Sequence, residues 1–279
     1  MAITAQDVNR LRQMTGAGMM DCKKALEEAG GDFEKAIEVL RKKGEKLSVK
    51  RADREAKEGA VFVRSSSDNT LAVLIELNCE TDFVARNDEF QSLGENIAAK
   101  ALEAAPADLD ALKELSLGER TIGESLTDMI GKIGEKIDVS RYERIHGDQI
   151  VTYIHPGARI GVAVAFANTQ GKDVSEIGKD VAMQIAAMNP VAVDKDGVPS
   201  DIVEKEIEIG KDQARAEGKP EAILEKIALG KLNKFYKDMT LLNQDFVKDT
   251  SRSVGKYIED SLGKGVTVTS FTRVQLGVR

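Results

Sequence analysis

Apolar residues recur at helical spacing from the start of the chain. Val8, Leu11 and Met14 fall on one face behind Thr4 and Asp7, which are spaced for a reciprocal cap, and the pattern predicts a first helix that breaks at "TGAG". A second helix is predicted from about Met19 to Ala29, stopping at "GG". Asp32 is placed to cap a third, in which Phe33, Ala36, Ile37 and Leu40 make one stripe and Gly44 is expected to supply the stop. Three short helices within residues 1–44 form a small bundle, close to the lower size limit for independent folding. Arg41 to Glu58 then mixes Lys42, Lys43, Lys46, Lys50, Arg51 and Arg54 with Glu45, Asp53 and Glu55. Interspersed signs read as a solvated connecting helix or linker rather than a nucleic-acid surface.

The pattern next shifts from a helical period to alternation. "GAVFVRS" and "TLAVLIELN" predict a hairpin around "SSDN", followed by a helix over about Phe90 to Ala105. "QIVTYI" and "ARIGVAVAFAN" predict a second hairpin around "HPG", followed by a helix over about Val174 to Met188. The two units align: "AVLIELN" (72–78) sets against "VAVAFAN" (162–168), Gly94 against Gly178 and Pro106 against Pro190. An internal repeat of this kind predicts two related α+β subdomains, each burying a sheet face under a helix.

The copies differ between strand and helix. The second closes with Thr169 to Asp173, five residues; the first uses Cys79 to Glu89, eleven residues. The excess falls on the loop holding Thr81, Asp82 and Phe83, so the plain unit closes without them. Beyond Pro190, Ser200–Glu217 and Glu221–Met239 predict two helices joined by "GKP", with Ile202, Ile209, Ile223, Ile227 and Leu232 as apolar positions. So short a joint predicts an antiparallel hairpin that protrudes as an insertion. "GVTVTSFTRVQLGV" predicts a last strand on the second sheet. The expected fold class is α+β: a three-helix module and linker (1–55), a core N-subdomain (56–140), a core C-subdomain (141–190 with 241–279) and the helical hairpin (191–240).

Composition narrows the function. Of the 279 residues, 42% are hydrophobic and 31% charged, which suits a soluble chain with real cores. A net charge of −7 disfavours broad binding to a phosphate backbone, so no direct nucleic-acid partner is expected. No apolar run approaches the roughly 18 residues that would suggest a membrane span. Two cysteines, Cys22 and Cys79, make neither a disulfide framework nor a zinc spacing, which points to a reducing cytoplasm. The first residues carry Asp and Arg with no apolar core and do not read as a signal peptide.

Candidate chemistry is sparse. Cys22, Cys79, His146 and His155 could supply a Cys–His pair, yet Cys22 sits inside a short helix, where a small buried hydrophobe is the usual role. His155 opens a hairpin tip, which favours contact or turn duty. There is no P-loop, and "GKIGEK" (131–136) reads as a helix end and a turn. No catalytic residue, cofactor or metal is expected. Met19 and Met20 cannot share a helix face; either both fill the small core, or one packs inward while the other, exposed beside a tight turn, suits a partner surface. Phe83 has two readings as well. It folds back over the sheet as a lid, with Asp82 as a turn residue, or it tips a short rigid prong beside an acid.

"LRQMTGAGMMDCKKALEEAGGDFEKAIEVLR", "NCETDFVARNDEF" and "HPGARIGV", supported by "KIGEKI" and "DFVKDTSRSVG", resemble the translation elongation factor Ts family from about Ile3 to Arg273. The resemblance implies a bacterial or organellar-type guanine nucleotide exchange factor for elongation factor Tu, not an enzyme. It implies a ubiquitin-associated-like N-terminal module, a two-part α+β core and an antiparallel helical hairpin. It also implies partner contacts: Arg12, Met19 and Met20 on the GTPase domain; Thr81, Asp82, Phe83 and Val84 in the prong; Ile133 and Gly134 beside it; and His155, Val247 and Lys248 facing the third domain of the GTPase. Phe83 is then expected to wedge between GTPase helices near the Mg²⁺ and phosphate site. Some family members continue into a further helical segment, a contact expected to be absent or replaced in a sequence that ends at Arg279. Two other functions compete. An adaptor built on the N-terminal bundle leaves the prong and both repeats idle, and a Cys–His enzyme lacks local support. One chain carries both core copies and can present a whole surface; a homodimer, or a heterotetramer with the partner, is left open.

Overall fold

A computed structural model describes residues 3–278; Arg279, the last residue of the expected C-subdomain, lies outside the described residues. The chain opens with α1 (Ala5–Thr15), α2 (Met19–Glu28) and α3 (Phe33–Arg51). The reciprocal cap of Thr4 and Asp7 forms as expected, and Asp32 caps α3. Leu11, Cys22, Ala25, Leu26 and Ala36 close the core of this module. Met14 does not join it; it is 57% exposed.

Gly44 does not end α3, which continues to Arg51. The glycine serves tertiary contact instead. α3 crosses α7 (Ile122–Ile133), and a Cβ on Gly131 of α7 would stand 2.9 Å from the Cα of Gly44. With no side chain on either glycine, the two backbones can approach this closely.

The first sheet has strand order β1-β2-β5, with β1 (Glu58–Ser65), β2 (Leu71–Cys79) and β5 (Asp138–His146). Between β2 and β5 lie α4 (Asp82–Ala85), α5 (Asp88–Ala104), α6 (Leu109–Lys113), a small hairpin of β3 (Ser116–Leu117) and β4 (Arg120–Thr121), and α7. The sequence pattern does not single out β5. Because it pairs antiparallel with β2, the first sheet runs past the expected boundary at 140, to His146.

The second sheet has order β10-β7-β6, with β6 (Gln149–Ile154), β7 (Ile160–Ala167) and β10 (Thr267–Gln275). After β7 come α8 (Ser175–Met188), the long helices α9 (Ser200–Ala216) and α10 (Glu221–Met239), a hairpin of β8 (Asp245–Phe246) and β9 (Asp249–Ser253), and α11 (Val254–Leu262). α9 and α10 are an insertion whose ends meet: Leu241 N–H donates to Ala192 O at 2.9 Å and Val191 N–H to Met239 O at 2.9 Å. Their seam is built from Gly210, Ala214, Leu224, Ala228 and Leu232, while Ile209 and Ile223 face outward.

Alternation along the central strands sets the layers. Val73, Ile75 and Leu77 of β2 pack with Phe90 and Ile97 of α5. Val162, Val164 and Phe166 of β7 pack with Val181, Ala182 and Ile185 of α8. The intervening residues, Ala72 and Leu74 of β2 and Ala163 and Ala165 of β7, meet in a third core between the sheets. The order is helix, sheet, sheet, helix, as period-2 patterning demands when both faces of each sheet are buried. Among the described residues, no helix is long and apolar enough to cross a membrane.

The repeat extends further than the sequence alignment suggests. α5 and α8 both end on a left-handed residue before proline, Ala105 at φ 44° and Asn189 at φ 45°. Gly94 and Gly178 both lie where a Cβ would strike the underlying sheet, at Phe62 and Val151. In each copy a small hairpin then leads to a capped helix, α7 or α11, which ends at a glycine with φ 85°, Gly134 or Gly263. The returning strands even share a register irregularity, at Ser140 in β5 and at Thr269 in β10.

The glycine crossing yields a signed pair of substitutions. Gly131→Leu forces α3 and α7 apart and is expected to cost about 1–3 kcal/mol in urea unfolding. Gly230→Ala, in α10 with no atom near its would-be Cβ, is expected to gain about 0.5–1 kcal/mol.

Candidate partner interface

The residues after β2 form a short prong rather than a lid. Thr81 caps α4, its hydroxyl accepting from Val84 N–H at 3.4 Å. Phe83 at the tip is 83% exposed, while Ala85 beneath it is buried and Val84 packs on the first core. Asp82 pairs with Arg86 at 2.9 Å on the outer surface. Phe83 therefore does not contribute to the hydrophobic core.

Side chains remote in sequence fix the base of this prong. Glu135, which follows the α7 C-cap Gly134, accepts from Glu80 N–H at 3.1 Å, Thr81 N–H at 3.0 Å and the Thr81 hydroxyl at 2.7 Å. Glu80 in turn accepts from Lys136 N–H at 2.7 Å and from Arg51, at the end of α3, at 2.8 Å. Burial acts to raise the Glu80 pKa, but the Lys136 N–H and the Arg51 guanidinium outweigh it and hold the carboxyl below its ordinary value. The prong is thus tied to α7 through Glu135 and to α3 through Glu80. Ile133 and Gly134 sit at the same α7 end, Ile133 against the first core. Lys132 forms an ion pair with Glu89, across from the start of α5.

The remaining expected residues lie on other elements. Arg12 is exposed on α1. Met19 and Met20 are 50% and 61% exposed at the start of α2, so neither fills the module core. With Ile3 and Val8 they border a shallow cavity of about 560 Å³. His155 is exposed at the β6–β7 turn, and its Nδ1 lies 3.0 Å from the Tyr153 hydroxyl. That turn is anchored from behind: Ala158 O accepts from Val61 N–H at 2.8 Å. Val247 and Lys248 are exposed in the β8–β9 turn above α8. Lys248 pairs with Asp180 at 2.6 Å, and Val247 N–H donates to the buried Gln184 at 2.9 Å.

The structure therefore unites Thr81–Val84 with Ile133 and Gly134 at one locus. It places Arg12, Met19 and Met20 on the module packed against α7, and His155, Val247 and Lys248 on the second subdomain. No role at the prong is read from the sequence for Glu135, Glu80, Arg51 or Lys136, and Arg51 is expected in a solvated connecting helix or linker, whereas the structure pairs it with Glu80. Glu135 and Lys136 lie within "KIGEKI" and Glu80 within "NCETDF", which is the local signal for them; Arg51 has none.

The geometry gives no support to thiol chemistry. Both cysteines are buried and free. Burial, with the nearby Glu135 charge adding to it, pushes the Cys79 thiol up to about 12, leaving it protonated at neutral pH. Among the described residues, no group of three or more His, Cys, Asp or Glu side chains is placed to hold a metal ion. Native protein at pH 8 is accordingly expected to resist a disulfide-exchange reagent such as DTNB for many minutes. In guanidinium chloride the same sample is expected to titrate two thiols. Rapid labelling of native Cys79 would overturn this assignment.

Comparison with known proteins adds an independent line. The sequence profile of the family described as Elongation factor TS matches residues 80–278. The chain is 56% identical over 275 residues to Elongation factor Ts of Cytophaga hutchinsonii, covering 98% of this chain and 99% of that protein. It is 50% identical over 277 residues to Elongation factor Ts of Amoebophilus asiaticus, covering 99% of this chain and 100% of that protein. The profile begins at the base of the prong and these relatives extend the likeness through the N-terminal module, so the chain belongs to the elongation factor Ts family.

Proposed function

We propose that this chain is a guanine nucleotide exchange factor for elongation factor Tu and that its prong loosens the bound nucleotide. The observation that carries this reading is Phe83: 83% exposed, on a four-residue helix whose base is fixed by hydrogen bonds. An aromatic side chain held in water by a rigid support has no role in the core, but it suits a pocket on another protein. Buried aromatic anchors dominate interface energies.

In this reading Phe83 inserts between helices of the GTPase near its Mg²⁺ and phosphate site, with Asp82 beside it. Displacing those helices weakens metal and phosphate contacts, and GDP leaves faster. Val84 and Thr81 support the tip, and Ile133 and Gly134 flank it. Arg12, Met19 and Met20 dock on the GTPase domain, while His155, Val247 and Lys248 engage its third domain. The core subdomains hold these surfaces in one chain, with α9 and α10 projecting as the hairpin. The factor makes and breaks no covalent bond and uses no cofactor. It acts by binding the nucleotide-free GTPase more tightly than the GDP form, and by linkage GDP and the factor weaken each other equally. A coupling of about 4 kcal/mol corresponds to roughly a thousandfold change in affinity.

Release of fluorescent GDP from elongation factor Tu, followed by stopped flow, tests the proposal. Phe83→Ala is expected to keep the melting temperature, since little of the ring is buried. It is expected to slow catalysed release by roughly 30- to 1000-fold, the range of about 2–4 kcal/mol for a dominant anchor. Full activity in Phe83→Ala would move the mechanism to Met19, Met20 and His155. No acceleration by the unaltered protein would leave the adaptor reading in its place.

A further inference from the structure

We propose that Glu135 is a positioning residue for exchange, holding the Phe83 prong in its exposed conformation before the partner arrives. The assignment rests on the exchange reading above. The loop leaves β2 at Cys79, and its next two backbone N–H groups, of Glu80 and Thr81, have no strand partner. Glu135 Oε2 takes both, at 3.1 and 3.0 Å, and Oε1 takes the Thr81 hydroxyl at 2.7 Å. A charged acceptor makes these bonds stronger than neutral ones. Taking both N–H groups and the hydroxyl fixes the direction in which the chain enters α4, and hence where Phe83 points. The left-handed Gly134, at φ 85°, turns the chain so that the next residue can face the loop.

The second copy supplies a control inside the same molecule. Gly263 holds the place of Gly134 at the end of the corresponding helix, but with ψ 167° instead of 10° it sends the chain another way, and the side chain of the next residue, Lys264, is 91% exposed. That copy has no prong: its strand-to-helix connection, 168–174, contains no helix, whereas the first copy's connection, 80–87, contains α4. Its loop is fastened from the other side, Lys172 donating to Leu262 O. A sheet and helix of this design therefore close without a glutamate at this position, and the glutamate accompanies the prong. Closure of the subdomain does not explain Glu135; orientation of the tip does. Without it, the cost of ordering the prong moves from folding to binding, where it subtracts from affinity for the partner.

The test is a double-mutant cycle in the fluorescent GDP release assay on the full chain, with melting temperatures measured alongside. Glu135→Ala is expected to raise the half-saturating concentration about tenfold, a modest ordering cost. Glu135→Gln keeps a carbonyl for the two N–H groups and is expected to stay within about threefold of the unaltered protein. In a Phe83→Ala background, Glu135→Ala is expected to add nothing, because its effect passes through the tip. A second readout does not depend on exchange: amide hydrogen exchange at Glu80 and Thr81 is expected to accelerate in Glu135→Ala and to stay slow in Glu135→Gln. If Glu135→Ala does not fold, Glu135→Lys, carrying the second copy's residue, takes its place. A slow Phe83→Ala with a fast Glu135→Ala, or penalties that add in full, would overturn the positioning role alone. A fully active Phe83→Ala would overturn the prong reading and this assignment with it.

Discussion

Everything in the core depends on two sheets lying back to back, partly through small side chains. Ala72, Ala163 and Ala165 share the interface with larger residues such as Leu74 and Ile150, and Gly161 leaves room for Val61 and Val63, each 2.7 Å from where its Cβ would stand. Larger residues in place of the small ones would part the sheets and separate the two halves of the molecule. With the sheets fixed, α5 and α8 have only the outer faces to cover, and the loops that follow the central strands emerge at defined places. The surfaces assigned to the partner all hang from that frame.

The two halves are the same unit put to different uses. Each has a hairpin, a helix ending in a left-handed residue before proline, a small hairpin, a capped helix and a returning strand on the other edge of the central strand. Between the central strand and the matching glycine of the next helix, the first copy spends its extra residues on α4 with its exposed phenylalanine and on an earlier start of α5, at Asp88. The second spends them after α8, on the pair α9 and α10. Both insertions sit at connections, where added chain costs little if the ends stay close. The differences between the copies therefore mark function more clearly than either copy does alone.

Exposure of Phe83 makes sense only because the base beneath it is rigid. Arg51 and Lys136 hold Glu80, Glu135 holds Thr81, and Val84 and Ala85 sit on the core. A flexible loop with the same tip would fold the ring back onto apolar surface. The same network joins α3 to the prong, so the N-terminal module and the tip share a support. Such a link is foreign to a module acting by itself as an adaptor.

Much of this was legible in the sequence. Capping pairs, helical stripes, strand alternation and the repeat are local or near-local signals, and they located α1, α2, α5, α8, α9, α10 and both hairpins within a few residues. The expected loop excess drew attention to Thr81 to Phe83, although the structure divides the extra residues between the α4 connection and the first turn of α5, which starts at Asp88. Tertiary structure decided the rest. Gly44 looked like a helix stop, but a glycine in a helix can equally be an approach point for a neighbour, and only Gly131 across the crossing shows which. β5 and α11 carry mixed polar and apolar residues whose faces are defined by what they pack on. Lid or prong could not be told from a lone phenylalanine, since the choice lies in hydrogen bonds that Glu135, 54 residues along the chain from Thr81, accepts from the base of the prong. Local pattern determines which elements form; contacts between distant residues determine which side chains are left facing the solvent.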